Sequence, residues 1–130
     1  MTQEEKQLLL QDLSARLPYG VMCRISNNDI LPLKDIFIDG VVGNKGQLGF
    51  GLTKYGRIFQ EIDEIKPYLR PMSSMTEEEK EEYKKLQTNY EFGYFDNPKS
   101  IDWLNKNMFD YRRLIQDGLA LESPEGMYND

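Results

Sequence analysis

The chain predicts an α+β fold: a small, curved antiparallel sheet or SH3-like barrel, with one helix before it and two or three after it. Three observations carry this expectation. Apolar residues recur at helical spacing near the amino terminus and again beyond residue 71, whereas residues 20 to 70 alternate with the period of two of half-buried strands. Turn residues recur at short intervals in that middle stretch with no helical pattern interleaved, which disfavours parallel βαβ topology. Two capping boxes and an Asn-Pro pair mark helix starts outside it.

Taken in order, Thr2 with Glu5 is a capping box, and Leu10, Leu13 and Leu17 follow at helical spacing, so residues 3 to 16 are expected to be helical until Pro18 stops them. Val21, Cys23 and Ile25 alternate with Met22 and Arg24 as a strand, and Asn27-Asn28-Asp29 supplies its turn. Ile30 to Ile38 reads as an edge or bulged strand because it contains Pro32. Asp39-Gly40 closes it. Val41-Val42 and then Leu48, Phe50 and Leu52 read as two strand pieces around Gly43-Asn44-Lys45-Gly46, and Tyr55-Gly56 turns the chain again. Ile58-Phe59 is extended, Ile62 to Ile65 is one helical turn, and Lys66 to Pro71 is an extended segment bounded by two prolines.

Thr76 with Glu79 opens a charged helix with a thin apolar stripe of Tyr83, Leu86 and Tyr90. Asn97 and Pro98 open another, carrying Ile101, Trp103, Leu104 and Met108. Asp110 is placed to cap a last helical turn or two through Leu114 and Ile115, ending at Gly118, and Leu119-Ala120-Leu121 is a loop or a short added strand. The expected organisation is one domain over residues 1–130: an amino-terminal helix (1–18), a barrel-like sheet (19–71) and a helical carboxy-terminal segment packed on it (72–130).

Composition narrows the chemistry. Of 130 residues none is histidine and one, Cys23, is cysteine. His-dependent nucleophilic triads, internal disulfides and Cys-based zinc clusters are therefore excluded, and no cofactor or metal is expected. The amino terminus is acidic, with no apolar run longer than Leu8-Leu9-Leu10, so a cytoplasmic protein with no membrane partner is expected. Residues 1 to 70 hold nine cations and nine carboxylates, and residues 71 to 130 hold seven and thirteen, so the net charge of -6 belongs to the second half. Such a surface repels phosphate backbones and makes a nucleic-acid partner a weak expectation, Lys34, Lys45, Lys54 and Arg57 being the residues on which that alternative rests.

The glycines between 43 and 56 match neither a dinucleotide fingerprint nor a P-loop and read as hairpin and bulge positions. The charges of Glu77 to Lys85 lack the ligand pattern of a calcium loop and read as a solvated helix face. Asp102 and Asp110 stand beside Trp103 and Phe109, but as helix-terminal acids they read as caps rather than as catalytic acids.

The one signal above background is aromatic. Seven of the fifteen aromatic residues lie between Tyr90 and Tyr111. They either dock the carboxy-terminal helices onto the sheet or leave part of the cluster exposed to bind a partner, with Tyr94, Phe95, Trp103, Phe109, Tyr111, Arg112 and Arg113 as the candidate binding residues.

Two stretches, Ile65-Lys66-Pro67-Tyr68-Leu69-Arg70-Pro71-Met72-Ser73-Ser74-Met75-Thr76 and Trp103-Leu104-Asn105 with Phe109-Asp110-Tyr111-Arg112 and Gly118-Leu119-Ala120-Leu121, span about a quarter of the chain. They resemble a family of small bacterial proteins without assigned function, often associated with prophages and other mobile elements. The resemblance implies no activity and carries no functional residue over. It does imply that residues 65 to 76 and the carboxy-terminal segment form one unit with the sheet. The aromatic cluster, together with the chemistries excluded above, makes the expected function that of a non-catalytic binding or accessory protein that engages another protein or a peptide. A nucleic-acid-binding small barrel is the first alternative, and an enzyme working with carboxylates and no histidine is the second.

Overall fold

The computed structural model describes residues 1–38, 46–53 and 56–128. Its first element is helix α1 (Gln3–Arg16), started by the expected capping box, in which Thr2 Oγ1 accepts from the Glu5 amide at 3.0 Å and the Glu5 carboxylate accepts from the Thr2 amide at 2.9 Å. A 3₁₀ turn at Leu17–Tyr19 ends at Gly20, whose φ of 75° lets the chain reverse without a Cβ clash. The buried face of α1 is Leu9, Asp12, Leu13 and Arg16, not the Leu10, Leu13, Leu17 stripe that spacing suggested. Leu10 and Leu17 are only partly buried at its margin, because the ion pair of Asp12 and Arg16 takes the centre.

Five strands follow: β1 (Met22–Arg24), β2 (Ile30–Ile38), β3 (Gly46–Thr53), β4 (Gly56–Glu61) and β5 (Lys66–Pro71). Every ladder among these five is antiparallel, as the period of two implied. Alternation in β1 sets Val21, Cys23 and Ile25 into the core, where burial pushes the Cys23 thiol far above its ordinary range and keeps it protonated. Asn28 closes the β1–β2 turn at φ 71°, with Asn27 Oδ1 accepting from the Asp29 amide at 2.9 Å.

Of the two readings offered for β2, edge or bulged, the second is the one found: the strand is interior, not an edge, and carries a bulge. Its first three residues pair with β1 and the rest with β3, with a bulge between Leu33 and Asp35. Pro32 is accommodated because it stands just before the change of partner, where the missing N–H is needed on one side only. The turns expected at Asp39-Gly40, Gly43 to Lys45 and Tyr55, and the strand piece Val41-Val42, lie outside the described residues.

The carboxy-terminal half adds helix α2 (Glu77–Leu86), strands β6 (Thr88–Tyr90) and β7 (Gly93–Phe95), helix α3 (Pro98–Lys106), and strands β8 (Phe109–Asp110) and β9 (Leu121–Glu122). The described ladders run β4-β3-β2-β1-β5-β8, with β9 also on β5, so the sheet is open and mixed rather than a closed SH3-like barrel. Closure would need β5 to return to β4. Beyond Pro67, β5 instead pairs in parallel with β9 at Tyr68 and Leu69 and with β8 at Arg70 and Pro71. β9 is the short added strand that Leu119-Ala120-Leu121 offered as one of its two readings, beginning at Leu121, whereas β8 at Phe109–Asp110 is too short to show a period of two.

No third carboxy-terminal helix follows α3. Residues 111 to 118 form turns, in which the Asp110 carboxylate accepts from the amides of Leu114 and Ile115, both at 2.9 Å, and Gly118 takes φ 75°. This is the capping role expected of Asp110, exercised on turns instead of a helix. The main core joins α1 and the sheet to Met108, Leu114, Leu119 and Ala120. A second cluster of Trp103, Leu104 and Phe109, flanked by Met72, Met75, Tyr83 and Leu86, holds α2 against α3.

Candidate functional site: an exposed aromatic hairpin

The structure divides the seven candidate residues between interior and surface. Trp103 keeps 9% of its surface exposed and Phe109 none. Their rings stack at 5.5 Å, and Trp103 stacks on Tyr83 of α2 at 5.6 Å, so both belong to the joint between helices. Tyr111 is half-buried and donates its hydroxyl to Asn105 Oδ1 at 2.9 Å, while Arg112 bonds Asp12 at 2.8 Å. Arg113 is exposed in the turn after them, at φ 63°. Tyr94 and Phe95 stand apart from these five, exposed by 44% and 48%.

Those two belong to a hairpin that periodicity did not reveal. β6 and β7 pair antiparallel with Thr88 opposite Phe95, Asn89 opposite Tyr94 and Tyr90 opposite Gly93. Three-residue strands are too short to register an alternation, yet Gly93, directly after the Glu91-Phe92 turn, is a usable signal; its φ of 132° lies where side chains are strained. Alternation places Thr88, Tyr90 and Phe95 on one face and Asn89 and Tyr94 on the other. The Tyr90 and Phe95 rings touch at 5.6 Å, and Phe92, in the turn, is 88% exposed. Together with Glu91, Tyr90, Phe92 and Phe95 line a shallow depression of about 470 Å³.

An isolated two-stranded hairpin is marginal in water, so its base must be held. Asn97 does this while it caps α3: its Nδ2 donates to Leu86 O at 2.8 Å and Thr88 Oγ1 at 2.9 Å, and its Oδ1 accepts from the Ser100 amide at 3.0 Å. Asp96 Oδ1 accepts from the Tyr83 hydroxyl and, at 3.0 Å, from Ser100 Oγ. Burial first, and then this carboxylate, push the Tyr83 phenol up, so it stays a donor. Lys84 Nζ lies 5.0 Å from the centre of the Tyr94 ring and covers that side. The base of the hairpin is thus held by side-chain bonds, and its rings stand out into solvent.

A second concavity, of about 500 Å³, lies between the end of β5, the start of α2 and residues 122 to 128. Most of its polar groups are already used: Arg70 is held by Glu79, the Ser74 hydroxyl by Pro71 O, the Thr76 hydroxyl by the Glu79 amide and the Tyr128 hydroxyl by Met22 N and Tyr68 O. Glu122, Ser123 and Glu125 also line it. Among the described residues no group of three or more His, Cys, Asp or Glu side chains is placed to hold a metal ion, and no helix is long and apolar enough to cross a membrane. Of the basic residues behind the nucleic-acid alternative, Lys34 is exposed on β2, while Lys45 and Lys54 lie outside the described residues.

No protein-family model matches the chain, and neither a curated protein nor a solved structure matches it significantly.

Proposed function

We propose that this protein is a non-catalytic binding or accessory protein, and that it engages another protein through the hairpin of β6 and β7. The observation that carries the reading is the exposure of Tyr90, Phe92, Tyr94 and Phe95, from 44% to 88%, on a hairpin whose base is fixed by Asp96 and Asn97. Exposed rings on a rigid support are the usual makings of an interface anchor, because they bury much area and lose little side-chain freedom. The cytoplasmic setting, and a bacterial host with a mobile genetic element, are parts of the same proposal and rest on the composition and on the resemblance of residues 65–76 and 103–121.

Site-specific photo-crosslinking tests it. A benzophenone side chain at position 92 is expected to capture one protein from source-cell extract, and the same group at exposed Gln7 on α1 is not. Excess unlabelled protein should suppress the product, whereas excess Phe92→Ala should not, although its melting temperature stays within about 2 °C of the parent because the ring lacks a packed site. Absence of a product specific to position 92 overturns the reading.

A further inference from the structure

Three arginines inside this fold are seated in the same way. Arg70 lies 4.2 Å from the centre of the Phe109 ring while the Glu79 carboxylate accepts from it at 2.7 and 2.8 Å. Arg112 lies 4.7 Å from the Tyr111 ring and bonds Asp12 at 2.8 Å. Arg16 lies 5.4 Å from that same ring and bonds Asp12 at 2.9 and 3.1 Å. The reason is general: a planar guanidinium stacks on a ring by its face while it fills a carboxylate bidentately by its edge, and an ammonium, a compact and strongly hydrated point charge, matches the two together less well.

The hairpin tip offers that pair of groups to solvent. Glu91 lines the depression together with Tyr90, Phe92 and Phe95. It is exposed and makes no ion pair among the described residues, and none of the chain's described cations is stacked on those three rings. The surroundings are acidic: residues 77 to 97 hold seven carboxylates and three lysines, a net charge of -4. Two copies of such a face repel each other, and the chain as a whole carries -6.

Resting on the binding reading above, we propose that the partner presents an arginine-bearing segment, with a guanidinium stacked on the Tyr90, Phe92 and Phe95 rings and bonded to Glu91, and an apolar neighbour in the depression. Arginine is specified over lysine because ring and carboxylate act on it together.

The test uses three labelled octapeptides of the same apolar spacing, bearing arginine, lysine or glutamate at the charged positions, titrated into the full chain at physiological salt by fluorescence polarisation and amide NMR. The arginine peptide should bind with shifts centred on residues 88 to 95. The lysine peptide should bind about fivefold more weakly and the acidic one not measurably. Glu91→Gln and Phe92→Ala should each weaken the arginine peptide about fivefold, whereas Glu78→Gln on the solvent face of α2 should change it less than about twofold. Equal binding of the lysine peptide, indifference to Glu91→Gln, shifts spread along α2, or self-association of the chain through the hairpin overturns the proposal. A partner cross-linked at position 92 that lacks arginine at the contact overturns it too, while leaving the binding reading standing.

Discussion

Asp12 and Arg16 stand one turn apart on α1, both without solvent exposure, joined by hydrogen bonds of 2.9 and 3.1 Å. Arg16 also donates to the carbonyl of Phe109 at 2.6 Å, and Arg112 reaches the same Asp12 carboxylate. The pair therefore ties the first helix to the strand and turns at the far end of the chain. Arg16 Nη1 is buried with no acceptor among the described residues, so the tie is incompletely satisfied.

Removing Asp12 leaves the buried Arg16 without a counter-charge, and removing Arg16 leaves the buried Asp12 with Arg112 alone. Asp12→Ala or Arg16→Ala is expected to lose about 3–5 kcal/mol in urea denaturation. The double replacement Asp12→Leu with Arg16→Met restores the volume and removes both buried charges, leaving Arg112, 17% exposed, to find water. It should cost at least about 2 kcal/mol less than the sum of the single changes. Additive losses would show that the two side chains act separately.

Trp103 bridges Tyr83 of α2 and Phe109 of β8, and deleting it opens the joint between α2, α3 and β8. Trp103→Ala is expected to cost about 3–5 kcal/mol, and Trp103→Phe clearly less. As the only tryptophan, it should emit at short wavelength in the native protein and resist iodide quenching. Red-shifted, freely quenched emission would contradict the stack.

Glu79 reports the same joint through pH. Hydrogen bonding from Arg70 holds its carboxyl below the ordinary glutamate value of 4.5. A carboxyl lowered on folding adds stability above its unfolded pKa and loses it as pH falls through the folded one. The urea midpoint should therefore fall more steeply for the parent than for Glu79→Gln between about pH 5 and pH 3, with the two converging at the acid end. Parallel curves would remove Glu79 from the linkage.

Local chemistry was legible in the residues themselves. Capping boxes at Thr2 and Thr76, the Asn97-Pro98 start of α3, the alternation of Val21, Cys23 and Ile25, and the helical turn at Ile62 each depend on neighbours a few positions away, and each is present in the fold. The exclusion of histidine and disulfide chemistry likewise needs no coordinates.

Tertiary structure decided the rest, because each outcome turns on residues far apart in sequence. Arg70 pairs with Phe109 and Tyr68 with Leu121, so short carboxy-terminal segments take up the length of β5 and the sheet stays open. Burial of Trp103 and Phe109 follows from the approach of α2 to α3. Once Trp103 and Phe109 are enclosed and Tyr111 is half-buried, the rings of Tyr90, Phe92, Tyr94 and Phe95 are those left to solvent, at a hairpin whose strands are too short to announce themselves by period. The order of residues determined that the aromatic side chains cluster; only long-range packing decided which of them solvent reaches.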